Sequence, residues 1–108
     1  MDLTLKKCIP CETGTPPLNR EKIEKYQLEL KNPWEVIENT KIKRKFKFED
    51  FEEAMEFVNK VADIAEVEQH HPDIHISYSK VTLELWTHAI GGLSENDFII
   101  AAKIEDLK

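Results

Sequence analysis

Hydrophobic positions along the chain follow two rhythms, and their alternation predicts the architecture. From Phe51 the side chains of Ala54, Met55, Val58, Val61, Ala62 and Ala65 recur at three- and four-residue spacing, which is one face of an α-helix. Asp50 followed by Glu53 has capping-box spacing at its start, and Pro72 ends it, because the residue before a proline is pushed out of helical geometry. A shorter helix runs from a cap at Asn19 to about Lys31, with Ile23, Tyr26 and Leu30 on its buried face and Pro33 preventing its continuation. Between these helices the period drops to two. "WEVIE" and "KIKRKFKF" read as strands joined by a tight turn at Asn39, with Ile42, Arg44, Phe46 and Phe48 on one face and Lys41, Lys43, Lys45 and Lys47 on the other. The lysine row reads as a solvated face or as an edge guarded against aggregation. After Pro72, Ile74, Ile76 and Tyr78, then Val81, Leu83 and Leu85, alternate with polar residues around a break at Ser79 and Lys80, which predicts a hairpin. "GGL" stops the second strand. Ser94 and Asp97 again have capping-box spacing, and Phe98, Ala101, Ala102 and Leu107 give a last amphipathic helix. The order αββαββα implies an α+β fold, a four-stranded antiparallel sheet covered on one face by helices.

Upstream of the first helix the rhythm is lost. "CETGTPPLNR" holds Gly14, Pro16 and Pro17, which favour an extended lead-in, so residues 1–17 form an N-terminal extension and residues 18–108 the folded domain. Its CxxC pair, Cys8 and Cys11, lacks both the four ligands of a structural zinc site and the βαβ setting of a thioredoxin-like motif; two ordinary mobile thiols are the simplest reading.

Composition narrows the function classes. A chain of 108 residues forms one core, and 41% hydrophobic with 33% charged residues describes a soluble globular protein. A formal net charge of −6 argues against nucleic-acid binding, since phosphate recognition draws on Lys and Arg. No apolar stretch is long enough to span a bilayer, and Met1 to Cys11 lacks the apolar run of a secretory signal, which together predict a cytoplasmic protein without membrane partners.

All four histidines lie between Glu66 and His88, in "EVEQHHPDIHISYSKVTLELWTH". His70, His71, His75 and His88 have the chemistry to ligate zinc, but the signature of two histidines four apart around a glutamate is absent, and no metal is expected. Imidazole also gives and takes protons near neutral pH, and several histidines at one pocket suit a reaction with protons moving in two places. No nucleophile elbow, phosphate loop or dinucleotide fingerprint is present, so acid-base chemistry without a cofactor fits best.

Glu66, His70, His71 and Pro72, followed by Tyr78, by Thr87 and His88, and by "GGLSENDF" ending in Asp97, form one ordered spacing pattern. It resembles the pterin-4a-carbinolamine dehydratase family, and the resemblance extends upstream through "FKFEDFEEAMEFVNKVADIAE" to Trp34, covering about Leu18 to Leu107. Membership would imply dehydration of 4a-hydroxytetrahydropterin to quinonoid dihydropterin, with no metal or redox cofactor. It would place His70, His71 and His88 in the active site, His70 and His88 as acid and base and His71 orienting substrate. Glu66 would hold a histidine or bind the pterin edge, or stand as a solvated helix-end charge. Asp97 would serve the site, its capping position supplying a second reason for an acid there. Trp34 would wall the pocket or begin a strand in the core. His75 lies outside the pattern and is expected on the surface. The resemblance also implies a homodimer or homotetramer with a pterin as small-molecule partner. Two other roles belong to proteins of this kind: a pterin-binding accessory of molybdenum-cofactor synthesis, and a non-catalytic dimerisation module.

Overall fold

The structure, a computed structural model, describes residues 3–9 and 14–107, so Cys11 lies outside the described residues. Its regular elements are α1 (Arg20–Gln27), β1 (Glu35–Ile37), β2 (Lys41–Lys47), α2 (Phe51–Glu68), β3 (Asp73–Ser77), β4 (Lys80–Leu85) and α3 (Glu95–Glu105), with single 3-10 turns at Leu3–Leu5 and His88–Ile90. The predicted order αββαββα is the observed one.

Local chemistry sets the helix starts. Asn19 accepts a hydrogen bond from Lys22 N (3.0 Å) and Asp50 from Glu53 N (2.8 Å), each side chain satisfying a backbone donor that a first helical turn leaves without a partner. α1 stops at Gln27, a turn short of the predicted Lys31; its last residues tighten into bonds from Glu29 N to Tyr26 O and Leu30 N to Gln27 O. α2 stops when Gln69 adopts the left-handed conformation (φ 54°) and returns its N–H to Ala65 O. That reversal releases His70 and His71 from the helix.

The sheet is antiparallel throughout, in the order β1-β2-β4-β3. Glu38 and Asn39 both have positive φ (49° and 57°), the pairing a primed hairpin turn requires, and connect β1 to β2. Register aligns Ile42 with Leu85, Arg44 with Leu83 and Phe46 with Val81, so one face of the sheet is apolar and is buried under the helices. Arg44 is accommodated there by laying its guanidinium 4.6 Å from the centre of the Phe46 ring. The lysine row therefore lies on the open face. It does not guard an edge, because β2 pairs on both sides; Lys41 reaches Glu84 of β4 at 3.2 Å.

Two expectations change. α3 is not one-sidedly amphipathic: every residue except Glu95 and Lys103 is buried, because α1, α2 and the Leu3–Leu5 turn surround it. Packing also begins upstream of residue 18. Leu3 is 2% exposed and belongs to the core, and Lys6 Nζ pairs with Glu95 (2.9 Å). Pro17 lies so close to Gly92 that a Cβ there would come within 2.7 Å of the proline ring. Cys8 is docked as well, its N–H donating to Glu68 Oε1 of α2 (2.8 Å).

Candidate active site

The end of α2, the end of β4 and the start of α3 converge on Asp97. Its side chain has no solvent exposure and sits three residues into α3, where its capping position gives it one bond, from Ser94 N to Oδ2 (3.0 Å). Thr87 Oγ1 donates to the same oxygen (2.9 Å) and also meets Ser94 Oγ at 2.7 Å. The other carboxylate oxygen, Oδ1, lies 2.6 Å from His70 Nε2. A carboxylate can only accept, so His70 carries a hydrogen on Nε2 and leaves Nδ1 as the ring nitrogen available for exchange. With 12% of its side chain exposed, His70 is fixed by a buried partner and open at one edge. Asp97 therefore caps α3 and, with its other oxygen, holds His70.

His88 follows Thr87 directly and opens the His88–Ile90 turn, which closes on Gly91 in a left-handed conformation (φ 64°). Its ring stands edge-on to Trp86 with centroids 4.0 Å apart, and Trp86 Nε1 in turn donates to Asp73 (3.3 Å). His70, Thr87 and His88 line one cleft of about 560 Å3, a volume in the range of small-molecule sites.

The remaining sequence candidates lie elsewhere. His71 Nε2 meets Glu66 Oε2 at 2.6 Å, but both side chains are more than half exposed and neither lines the cleft; the two form a solvated pair beside it. Trp34 is not a pocket wall. It is 2% exposed in the core, its Nε1 donates to the buried Glu105 (3.2 Å), and both its backbone N–H and C=O are bonded to the Gln27 side-chain amide. An indole buried in the core with its one donor bonded to Glu105 has no face left for a ligand. His75 stands exposed on the open face of the sheet, 3.4 Å from Glu84, and Tyr78 occupies the β3–β4 turn with φ 51°. Among the described residues no three His, Cys, Asp or Glu side chains are grouped to hold a metal ion.

The cleft also has walls that sequence reasoning missed. Cys8 and Ile9 come from the N-terminal segment, Val67 and Glu68 from the last turn of α2, and Asn96 from α3. Burial, and next the Glu68 carboxylate, push the Cys8 thiol up to about 12, which keeps it protonated and unreactive. No sequence signal marks these contacts, which join residues 60 or more positions apart through hydrogen bonds.

Comparison with known proteins gives the same assignment as the pattern. Residues 16–107 match the family described as Pterin 4 alpha carbinolamine dehydratase. A protein of Rickettsia canadensis named "Putative pterin-4-alpha-carbinolamine dehydratase" is 53% identical over 103 residues, spanning 95% of this chain and 94% of that one. One of the same name from Alkaliphilus metalliredigens is 47% identical over 104 residues, spanning 96% and 94%. Among solved structures, a Brucella melitensis protein titled transcriptional coactivator/pterin dehydratase superposes with a TM-score of 0.78 at 30% identity, covering 84% of this chain and 97% of that one. Among the described residues no helix is long and apolar enough to cross a membrane. The chain belongs to the pterin-4-alpha-carbinolamine dehydratase family.

Proposed function

We propose that the cleft dehydrates 4a-hydroxytetrahydropterin to quinonoid dihydropterin, returning a spent tetrahydropterin cofactor to use in the cytoplasm. The observation that carries this reading is the pairing of two unlike imidazoles in one cleft, His70 locked on a buried carboxylate and His88 exposed on a turn.

The reaction breaks the C4a–O bond and removes a hydrogen from a pterin ring nitrogen, so that a C=N double bond forms and water leaves. One imidazolium protonates the departing hydroxyl while the other imidazole, neutral, accepts the ring N–H proton. Both nitrogens regain their starting state by exchanging one proton with solvent. A positioned acid or base supplies on the order of 10²–10⁴ in rate, and imidazole does so near neutral pH without large tuning. His70 and His88 take these two roles. The His71–Glu66 pair, beside the cleft, orients the substrate from the solvent side, where a carboxylate suits the paired N–H groups of a pterin edge. No step draws on a metal or a redox cofactor.

The active form in this reading is a homodimer or homotetramer. The two outer strands, β1 and β3, have edges that no strand covers among the described residues, and joining such edges is a common way to remove them.

The histidines themselves provide the test. With chemically generated 4a-hydroxytetrahydropterin, His70→Ala and His88→Ala are each expected to lower kcat at least tenfold, while His75→Ala leaves it unchanged. Equal losses at all three positions would overturn the assignment of acid and base.

A further inference from the structure

Ile9 is a large apolar side chain left 70% exposed, and Val67, beside it in the lining of the histidine cleft, is 80% exposed. Single exposed apolar residues are ordinary on protein surfaces. What distinguishes Ile9 is how firmly its backbone is held. Ile9 N donates to Asn96 Oδ1 (3.0 Å) and Ile9 O accepts from Asn96 Nδ2 (2.6 Å), so one buried amide side chain, 7% exposed, satisfies both main-chain groups of an exposed residue. Cys8 N donates to Glu68 Oε1 (2.8 Å), and Lys103 Nζ fixes the other oxygen of that carboxylate (2.9 Å). Lys6 is tied to Glu95.

Within the segment Leu3 turns into the core, Leu5 is left in solvent away from the cleft, and Ile9 is left at the cleft. Here buried polar groups of α2 and α3 are used to fix the backbone while Ile9 is left on the cleft. Small-molecule sites combine a few placed polar groups with apolar walls, and a flat heterocycle needs such walls on its faces. The histidines and Thr87 provide the polar part. The apolar part comes from Ile9 and Val67.

We infer that Ile9 is a specificity-determining residue that contacts the substrate, with residues 3–9 acting as a strap that sets it against the cleft. The inference rests on the pterin reading of the cleft and extends it to residues that precede the family match at 16–107.

The test compares Ile9→Ala, Asn96→Ala and the control Leu5→Ala, whose side chain is 82% exposed on the same strap but outside the cleft. Steady-state dehydration is measured beside equilibrium binding of oxidised biopterin, followed by its own fluorescence. Ile9→Ala is expected to raise both KM and the biopterin Kd about tenfold, the loss of most of one buried aliphatic side chain, with kcat within twofold and thermal unfolding unchanged. Leu5→Ala should change neither. Asn96→Ala should raise KM in the same sense and, in a Cys11→Ser background, speed the reaction of Cys8 with a thiol reagent as the strap lifts. KM and Kd within twofold of wild type for Ile9→Ala overturn the inference, whatever the behaviour of Asn96→Ala. If the wild-type protein binds biopterin without dehydrating the carbinolamine, the proposed reaction fails and the Kd ratio alone decides the role of Ile9. If it binds no pterin, both fall.

Discussion

Asp97 shows how one side chain can cap a helix and anchor a histidine together. It is fully buried and accepts from Ser94 N, Thr87 Oγ1 and His70 Nε2 at 2.6–3.0 Å. Asp97→Asn keeps the shape but turns one oxygen into a donor, which must then face either the His70 N–H or the Thr87 and Ser94 donors. We expect kcat to fall at least tenfold because His70 loses its fixed tautomer, with a stability loss of about 1–3 kcal/mol from donors left without an acceptor. Thermal unfolding and steady-state kinetics on the same preparation check both, and an Asn variant with wild-type kcat would show that the pairing is only structural. At this scale the sequence was partly legible. The spacing that marked His70, His88 and Asp97 reflects fixed positions at element ends: His70 and His88 line one cleft, and Asp97 is buried behind His70. Trp34 stayed open between pocket wall and core because an aromatic at the start of a strand looks the same in either place; its burial and its indole bond to Glu105 decide for the core.

Among the elements, α2 was the most readable, since its caps and its apolar spacing agree. Even so, Phe57, absent from the predicted face, is buried against Phe46 and Phe48, while Phe51, included in it, is half exposed. A helix in contact with a twisted sheet buries a face that drifts around its axis, and spacing alone does not fix where it begins and ends. The strap was illegible for a different reason: its anchors are single polar side chains 60 to 89 positions away, leaving no periodicity behind. Its docking carries a pH signature. The backbone N–H of Cys8 and then the Lys103 ammonium hold the Glu68 carboxyl below its ordinary range, against the opposing effect of burial. A carboxyl depressed in the folded state contributes stability that is present above its unfolded pKa, about 4.3, and is lost as pH falls through the lower folded value. Glu68→Gln should therefore lower the thermal midpoint at pH 7 and converge on wild type as the pH drops below the ordinary carboxylate range. A difference that stays constant from pH 7 to 3 would contradict this origin.

Across the whole molecule, the sheet order β1-β2-β4-β3 and its register put the helices and core on one side and leave the lysine-bearing face open on the other. The element order and the covered face followed from hydrophobic rhythm. The cleft did not, because it forms where α2, β4, α3 and the strap meet, a junction that no local pattern describes. With two strand edges uncovered among the described residues, the protein is expected to sediment at two or four times its 12.6 kDa chain mass, and a single-chain mass at micromolar concentration would count against the assembly proposed above. The most direct test is the reaction itself, run on purified protein after exhaustive chelation. Acceleration of 4a-hydroxytetrahydropterin dehydration over the spontaneous rate, abolished to within a tenth by His88→Ala, is the result predicted. No acceleration by folded wild-type protein, or acceleration that appears only when a metal is restored, would contradict a dehydratase that works through His70 and His88.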